Sequence, residues 1–166
     1  MRILFVGVNP GMRSAAIGHH FAGYSNRFWR LLYESGLVPE PIAAEDDARL
    51  PEWGFGLTNL VARATPGIDS IGREEYAAGR AVLRRKVRRW KPKLVALVGV
   101  TVYRSLFDVK ASVPVRLGLQ KDRFEGIPVF VLPNPSGRNA SFSYARMVKA
   151  FRALAASQKA GRRAEL

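Results

Sequence analysis

A three-layer α/β/α fold around a central, mainly parallel sheet is predicted by three features of this sequence. Four apolar runs are continuous rather than alternating: ILFVGV (3–8), GLTNLV (56–61, the weakest), KLVALVGV (93–100) and IPVFVL (127–132). Unbroken apolarity marks strands buried on both faces, as in parallel sheets. Helical periodicity lies between these runs, and strands alternating with helices give the layered α/β class. At 166 residues the chain is long enough for one full hydrophobic core.

The elements follow in order. The first strand ends at Asn9-Pro10-Gly11. Ser25 or Asn26 can cap a helix carrying Phe28, Leu31 and Leu32, closed by Gly36. Residues 37–53, with three prolines and several acids, read as a surface excursion. A helix over 73–90 is expected to turn Tyr76, Val82, Leu83, Val87 and Trp90 inward and Arg80, Arg84, Arg85, Arg88 and Arg89 mostly outward. A short helix covers 101–107, and Glu125-Gly126 makes a hairpin-like turn into the last strand. The final helix spans about 141–156, with Phe142, Ala145, Val148, Phe151 and Leu154 near one face. Residues 1–156 thus form a single domain, and 157–166 are expected to be a basic, frayed tail.

Charge narrows the function. Lys and Arg number 27 against 13 Asp and Glu, a formal net charge of +14. Such an excess is the footprint of a polyanion partner, nucleic acid before an anionic membrane. The absence of cysteine excludes disulfides, thiol chemistry and Cys-ligated zinc or iron–sulfur clusters. The only histidines, His19 and His20, are adjacent, a poor arrangement for holding one metal. No metal or cofactor is therefore expected. Neither a signal peptide nor a stretch of membrane-spanning length is visible, so a soluble, cytoplasmic monomer is expected.

Two corners carry the chemistry. GVNPGM (7–12) and LPNPSGRNASF (132–142) each end an apolar run in Asn-Pro plus a small residue. Beyond the carboxyl ends of parallel strands, both fall where open α/β sheets bind ligands. GVNPGM is neither a phosphate loop nor a dinucleotide fingerprint. Pro10 restricts Asn9 to extended backbone and stiffens the turn; the alternative use of Asn9 is an Asx turn. Between the corners, GHHFAGYSNRFWRLL (18–32) places Phe21 and Tyr24 in a glycine-flanked, flexible loop, suited to stacking on a nucleobase. After Asn134, Ser136 with its neighbouring N–H groups is expected to open a helix and to bind phosphate there. Arg138, raised on Gly137, either reaches into a duplex or is a solvated loop residue.

GVNPG, GHHFAGYSNRFWRLLYESGL and LPNPSGRNASF, in this order and spacing, resemble the mismatch-specific uracil-DNA glycosylases. These group with the thymine-DNA glycosylases in the uracil-DNA glycosylase superfamily, and the likeness spans roughly residues 2–155. It implies a compact α/β/α domain without metal or cofactor. It also implies flipping of an aberrant base from double-stranded DNA and hydrolysis of its N-glycosidic bond. By this resemblance Asn9 positions the attacking water and is the catalytic residue. Val8, Ser14, Phe21 and Asn134 contact the substrate, with Phe21 stacking on the flipped base. Ser136, Gly137, Arg138 and Asn139 enter the duplex, with Arg138 as the wedge. Bacterial members carry an apolar residue at that position. Asn59 also departs from the pattern, where a lysine is expected, and receives no role. The implied substrate is uracil in a mismatch, G·U foremost, with thymine or other damaged pyrimidines as further candidates. The competing reading is a non-catalytic nucleic-acid-binding module on the same fold. From sequence alone, Asn9→Asp would add a base and raise turnover by ~10²-fold.

Overall fold

The computed structural model describes residues 1–164. Strands β1 (Ile3–Gly7), β2 (Phe55–Asn59), β3 (Leu94–Val98), β4 (Gly118–Phe124) and β5 (Ile127–Leu132) form one sheet in the order β2-β1-β3-β5-β4. β1 pairs in parallel with β2 and β3, and β3 with β5; only β4 runs antiparallel, beside β5. The three-layer, mainly parallel architecture is the one the apolar runs predict. Ile3, Leu4, Phe5 and Val6 have no exposed surface, because Ile3 and Phe5 face one layer while Leu4 and Val6 face the other.

One layer contains α2 (Phe28–Glu34), α5 (Tyr144–Ala164) and the segment between α2 and β2. The opposite layer contains α3 (Arg73–Trp90) and α4 (Val100–Phe107). A short helix, α1 (Met12–Ile17), follows the first Asn-Pro corner and is not evident in the periodicity. No helix among the described residues is long and apolar enough to cross a membrane.

Four details differ from the sequence reading. Residues 37–53 are no mere surface excursion: Leu37, Val38, Ile42, Ala44 and Leu50 are buried in the core, the last two in a 3-10 helix (Ala44–Trp53). Val82 and Trp90 point outward, because α3 meets the sheet through Gly79, Leu83 and Val87. Glu125-Gly126 is a true two-residue hairpin turn, with positive φ at both positions, joining β4 to β5. Finally, α5 continues to Ala164, so 157–164 is helical rather than frayed; the last two residues of the expected tail lie outside the described residues.

The basic face of α3 is also less free than expected. Arg84 and Arg88 pair with Glu125, and Arg80 donates to Ser105 O at 2.8 Å. These side chains brace the hairpin and α4 from outside.

Candidate active site

β1, β3 and β5 end at one edge of the sheet, and beyond them opens a cleft of about 1080 Å³. Asn9, Phe21, Asn134 and Arg138 all line it, as the two Asn-Pro corners predict, together with Val8, Ser14, Ser136 and Asn139. Gly137 stands on the loop between these last residues. The parallel β1–β3 pairing puts the switch in strand order beneath Asn9, the position where such folds accept ligands.

The Asn9 carboxamide is held by the segment that follows β2. Its Nδ2 donates to the Arg63 carbonyl at 2.9 Å and to Thr65 Oγ1 at 2.7 Å. A carbonyl only accepts, and the Thr65 hydroxyl spends its proton on Gly67 O at 2.6 Å. Both partners therefore demand the NH₂ end of the amide. Oδ1 remains as the acceptor available for a ligand or water. Asn9 is thus no Asx turn: its partners lie more than fifty residues away.

The holding segment is itself braced. Arg63 Nε and Nη2 reach Glu75 at 2.6 and 3.0 Å, and Nη2 also reaches Ser70 O. Glu75 accepts a further bond from Gly72 N–H at the start of α3. The Arg63 guanidinium first, and that N–H second, pull the Glu75 pKa down to about 2. Thr65 is almost fully buried. Thr65→Val keeps its shape but removes the acceptor. It should slow base release about 10-fold, the effect of leaving one half-buried N–H of Asn9 unpaired; Thr65→Ser should restore most of the rate. An unchanged Thr65→Val rate in single-turnover kinetics would rule out this support.

The aromatic loop is rigidly tied, not flexible. Ala22 N–H donates to Ser14 Oγ at 3.0 Å, and Arg13 Nε donates to Ala22 O at 2.8 Å. Asp47 Oδ1 lies 3.1 Å from His19 Nδ1, and its Oδ2 accepts from His20 N–H; Trp29 Nε1 donates to His20 O. Burial lowers the His20 pKa below its ordinary value, with Asp47 opposing, so this ring is neutral at pH 7. Phe21 adopts φ +50° and stacks one ring face on Phe28, centroids 4.2 Å apart. With its neighbours engaged, the Phe21 N–H has no acceptor among the described residues and borders the cleft. Ser14 therefore fixes this loop, with its hydroxyl oxygen already accepting a bond.

The second corner differs from expectation. Asn134 Oδ1 accepts from Ser136 N–H at 3.0 Å, and Asn139 Nδ2 donates to Asn134 O at 2.8 Å. This Asx turn, followed by a second one in which Ser141 N–H donates to Asn139 Oδ1, keeps residues 134–141 out of helix. α5 begins only at Tyr144, where Ser143 Oγ accepts from Arg146 N–H. Ser136 therefore has neither a free N–H nor a helix dipole behind it, and the phosphate site expected there is not formed. Arg138 extends across the cleft mouth to donate from Nη1 to Pro66 O at 3.1 Å. Asn59 ends β2 opposite Gly7 and lines the cleft as well.

Sequence reading missed Arg63, Thr65 and Asp47. Parallel neighbours end at the same edge, so the residues after β2 were the place to look for partners of a residue after β1.

The cleft can hold a planar ring against Phe21, present an oriented acceptor at Asn9 and approach a polyanion from a basic rim. A family model described as the uracil DNA glycosylase superfamily matches residues 1–155. The chain belongs to the uracil DNA glycosylase superfamily, whose members are glycosylases, hydrolases of N-glycosidic bonds that act on uracil in DNA during base excision repair.

Proposed function

We propose that this protein is a monofunctional glycosylase directed to mismatched uracil, foremost in G·U pairs, which flips the nucleotide out and leaves an abasic site. The observation that carries the reading is the Asn9 carboxamide, its two N–H groups committed to Arg63 O and Thr65 Oγ1 and its Oδ1 left to accept. A carboxamide orients a water but does not deprotonate it at neutral pH. Bond breaking then runs ahead of attack: the C1′–N bond opens, the sugar takes oxocarbenium character and the base collects negative charge. The free Phe21 N–H is a donor for that charge, in the manner of an oxyanion hole. The second face of Phe21 receives the base, while the first rests on Phe28. Water held by Oδ1 adds to C1′ and gives up its proton. No lysine lines the cleft among the described residues, which favours hydrolysis over a Schiff-base lyase step.

Arg138 is the wedge in this reading. Its Nη1–Pro66 bond is exposed and costs little to exchange for base or phosphate acceptors, and arginine suits the acceptors of an orphaned guanine. Arg138→Ala should weaken product retention and slow release from duplex by about 10-fold or more, while single-stranded uracil is processed as before. Equal processing of duplex by the variant would remove the wedge role.

The reading itself is tested by single-turnover cleavage of labelled G·U, A·U, G·T and G·C duplexes and of single-stranded uracil, each with and without alkali. Release from G·U above A·U supports it. Equal release from every uracil context keeps the glycosylase and removes the mismatch preference. DNA binding without release from any substrate would favour the non-catalytic binding module.

A further inference from the structure

Arg27 takes no part in the chemistry above, yet it grips the loop that carries Arg138. Its backbone N–H donates to Pro135 O at 3.0 Å. Its side chain reaches the same loop twice: Nη2 donates to Ser136 O at 3.0 Å and Nε to Pro135 O at 3.5 Å. Two residues earlier, Ser25 packs against Gly137 so closely that a Cβ there would lie 2.4 Å from Ser25 Cβ and 2.9 Å from Ser25 O. The far end of the loop is fastened as well. Tyr144 donates to Glu34, which also receives Arg30 Nε at 2.8 Å, and the Arg30 guanidinium lies 4.8 Å from the Tyr144 ring centroid.

Residues 21–27 therefore join two parts of one device. Phe21 stands at one end and the anchor of the Arg138 loop at the other. We propose that Arg27 is a positioning residue for duplex opening: its guanidinium fork holds residues 135–138 at a fixed distance from Phe21, so that Arg138 fills the stack as the base reaches Phe21. The inference rests on the glycosylase reading for its substrate, but the device it describes is mechanical. Two successive carbonyls are served by one planar group, which lysine's point charge does not reproduce. A loop held at the correct spacing also loses less entropy when it enters the duplex.

Arg27→Met removes the fork but keeps the backbone bond to Pro135, so the chain path through the loop survives. Arg27→Lys retains charge and a single donor. Uracil release would be measured under single-turnover conditions from a G·U duplex and from the same strand alone. Arg27→Met is expected to slow the duplex reaction by on the order of 10- to 10²-fold, with the single-strand rate within about 2-fold of wild type. Arg27→Lys should fall between. Because the single strand needs no opening, its rate reports whether the pocket is intact.

Equal loss on both substrates would overturn the proposal, as would no loss on either. If Arg27→Met melts below the assay temperature, the same comparison with Arg27→Lys decides. Should the wild type release no uracil at all, the glycosylase reading falls separately. Opening would then be read with 2-aminopurine beside a mismatch. Brightening by wild type that is lost in Arg27→Met supports the device; equal brightening by both, or none by wild type, overturns it.

Discussion

Asn9→Ala is expected to cut the single-turnover rate of uracil release by on the order of 10²- to 10³-fold, with DNA affinity within about 3-fold of wild type. Alanine removes the one oriented acceptor in the cleft. It also leaves the Arg63 carbonyl and Thr65 Oγ1 without the N–H groups that now meet them at 2.9 and 2.7 Å. These losses sit at the floor of the cleft, away from the basic rim. A parallel loss of binding and release would show that Asn9 shapes the DNA surface rather than the reaction.

Asn9→Asp sharpens the test, because the structure reverses the expectation from sequence. A carboxylate at this position would turn an oxygen toward the Arg63 carbonyl, acceptor against acceptor. The acid escapes this by keeping its proton and donating it to that carbonyl, which raises its pKa and removes the base it was meant to supply. If instead it ionises, it swings away and loses its orientation. Either way the rate at pH 7 should fall below wild type. A rise would mean that basicity outweighs geometry and that the 63–65 segment yields.

Gly79→Ala is expected to destabilise the fold more than any other small-residue exchange considered. A Cβ at this position would lie 2.1 Å from the Leu60 carbonyl oxygen and 3.0 Å from its carbon, both backbone atoms. Helix propensity alone favours alanine over glycine by about 1 kcal/mol. Relieving the overlap means moving α3 off the sheet, an overpacking cost of about 3 kcal/mol or more. A net loss of about 2 kcal/mol corresponds to a melting temperature lower by roughly 4–8 °C. Gly161, on α5 with open space around its Cα, is the control: Gly161→Ala should leave melting unchanged or raise it slightly. The damage from Gly79→Ala should also reach the cleft. Leu60 N–H donates to Gly7 O and Val61 N–H to Val8 O, both at 2.8 Å, so a displaced Leu60 drags on the segment that orients Asn9. Slower uracil release below the melting range would accompany the lower melting temperature. Unchanged melting would show that α3 has room to shift.

The parts of the fold legible in the sequence were those set by near neighbours. β1 and β3 were visible because a strand buried on both faces is apolar at every position, and Ile3 to Val6 are. α3 was legible to its bounds, Arg73–Trp90, because a long periodic run has few alternatives. The two Asn-Pro corners and their common edge followed from strands running in parallel.

What stayed hidden depended on distant partners. Val82 and Trp90 satisfy an apolar periodicity on α3, yet Gly79 lets a different stripe approach the sheet and leaves both partly exposed. Asn134 and Asn9 sit in nearly identical dipeptide settings but act differently. Asn134 bonds to Ser136, two residues on, and is a local turn. Asn9 meets Arg63 and Thr65, 54 and 56 residues on, because β2 lies beside β1.

The sequence by itself determined the layered α/β class, the places where its buried strands end, and the superfamily that its two corners resemble. Only the tertiary structure decided which oxygen or nitrogen each asparagine turns to the cleft, and which loop Arg27 and Arg138 hold. A strand's burial is written in its own side chains. A carboxamide's orientation is set by whichever donors and acceptors another strand brings beside it.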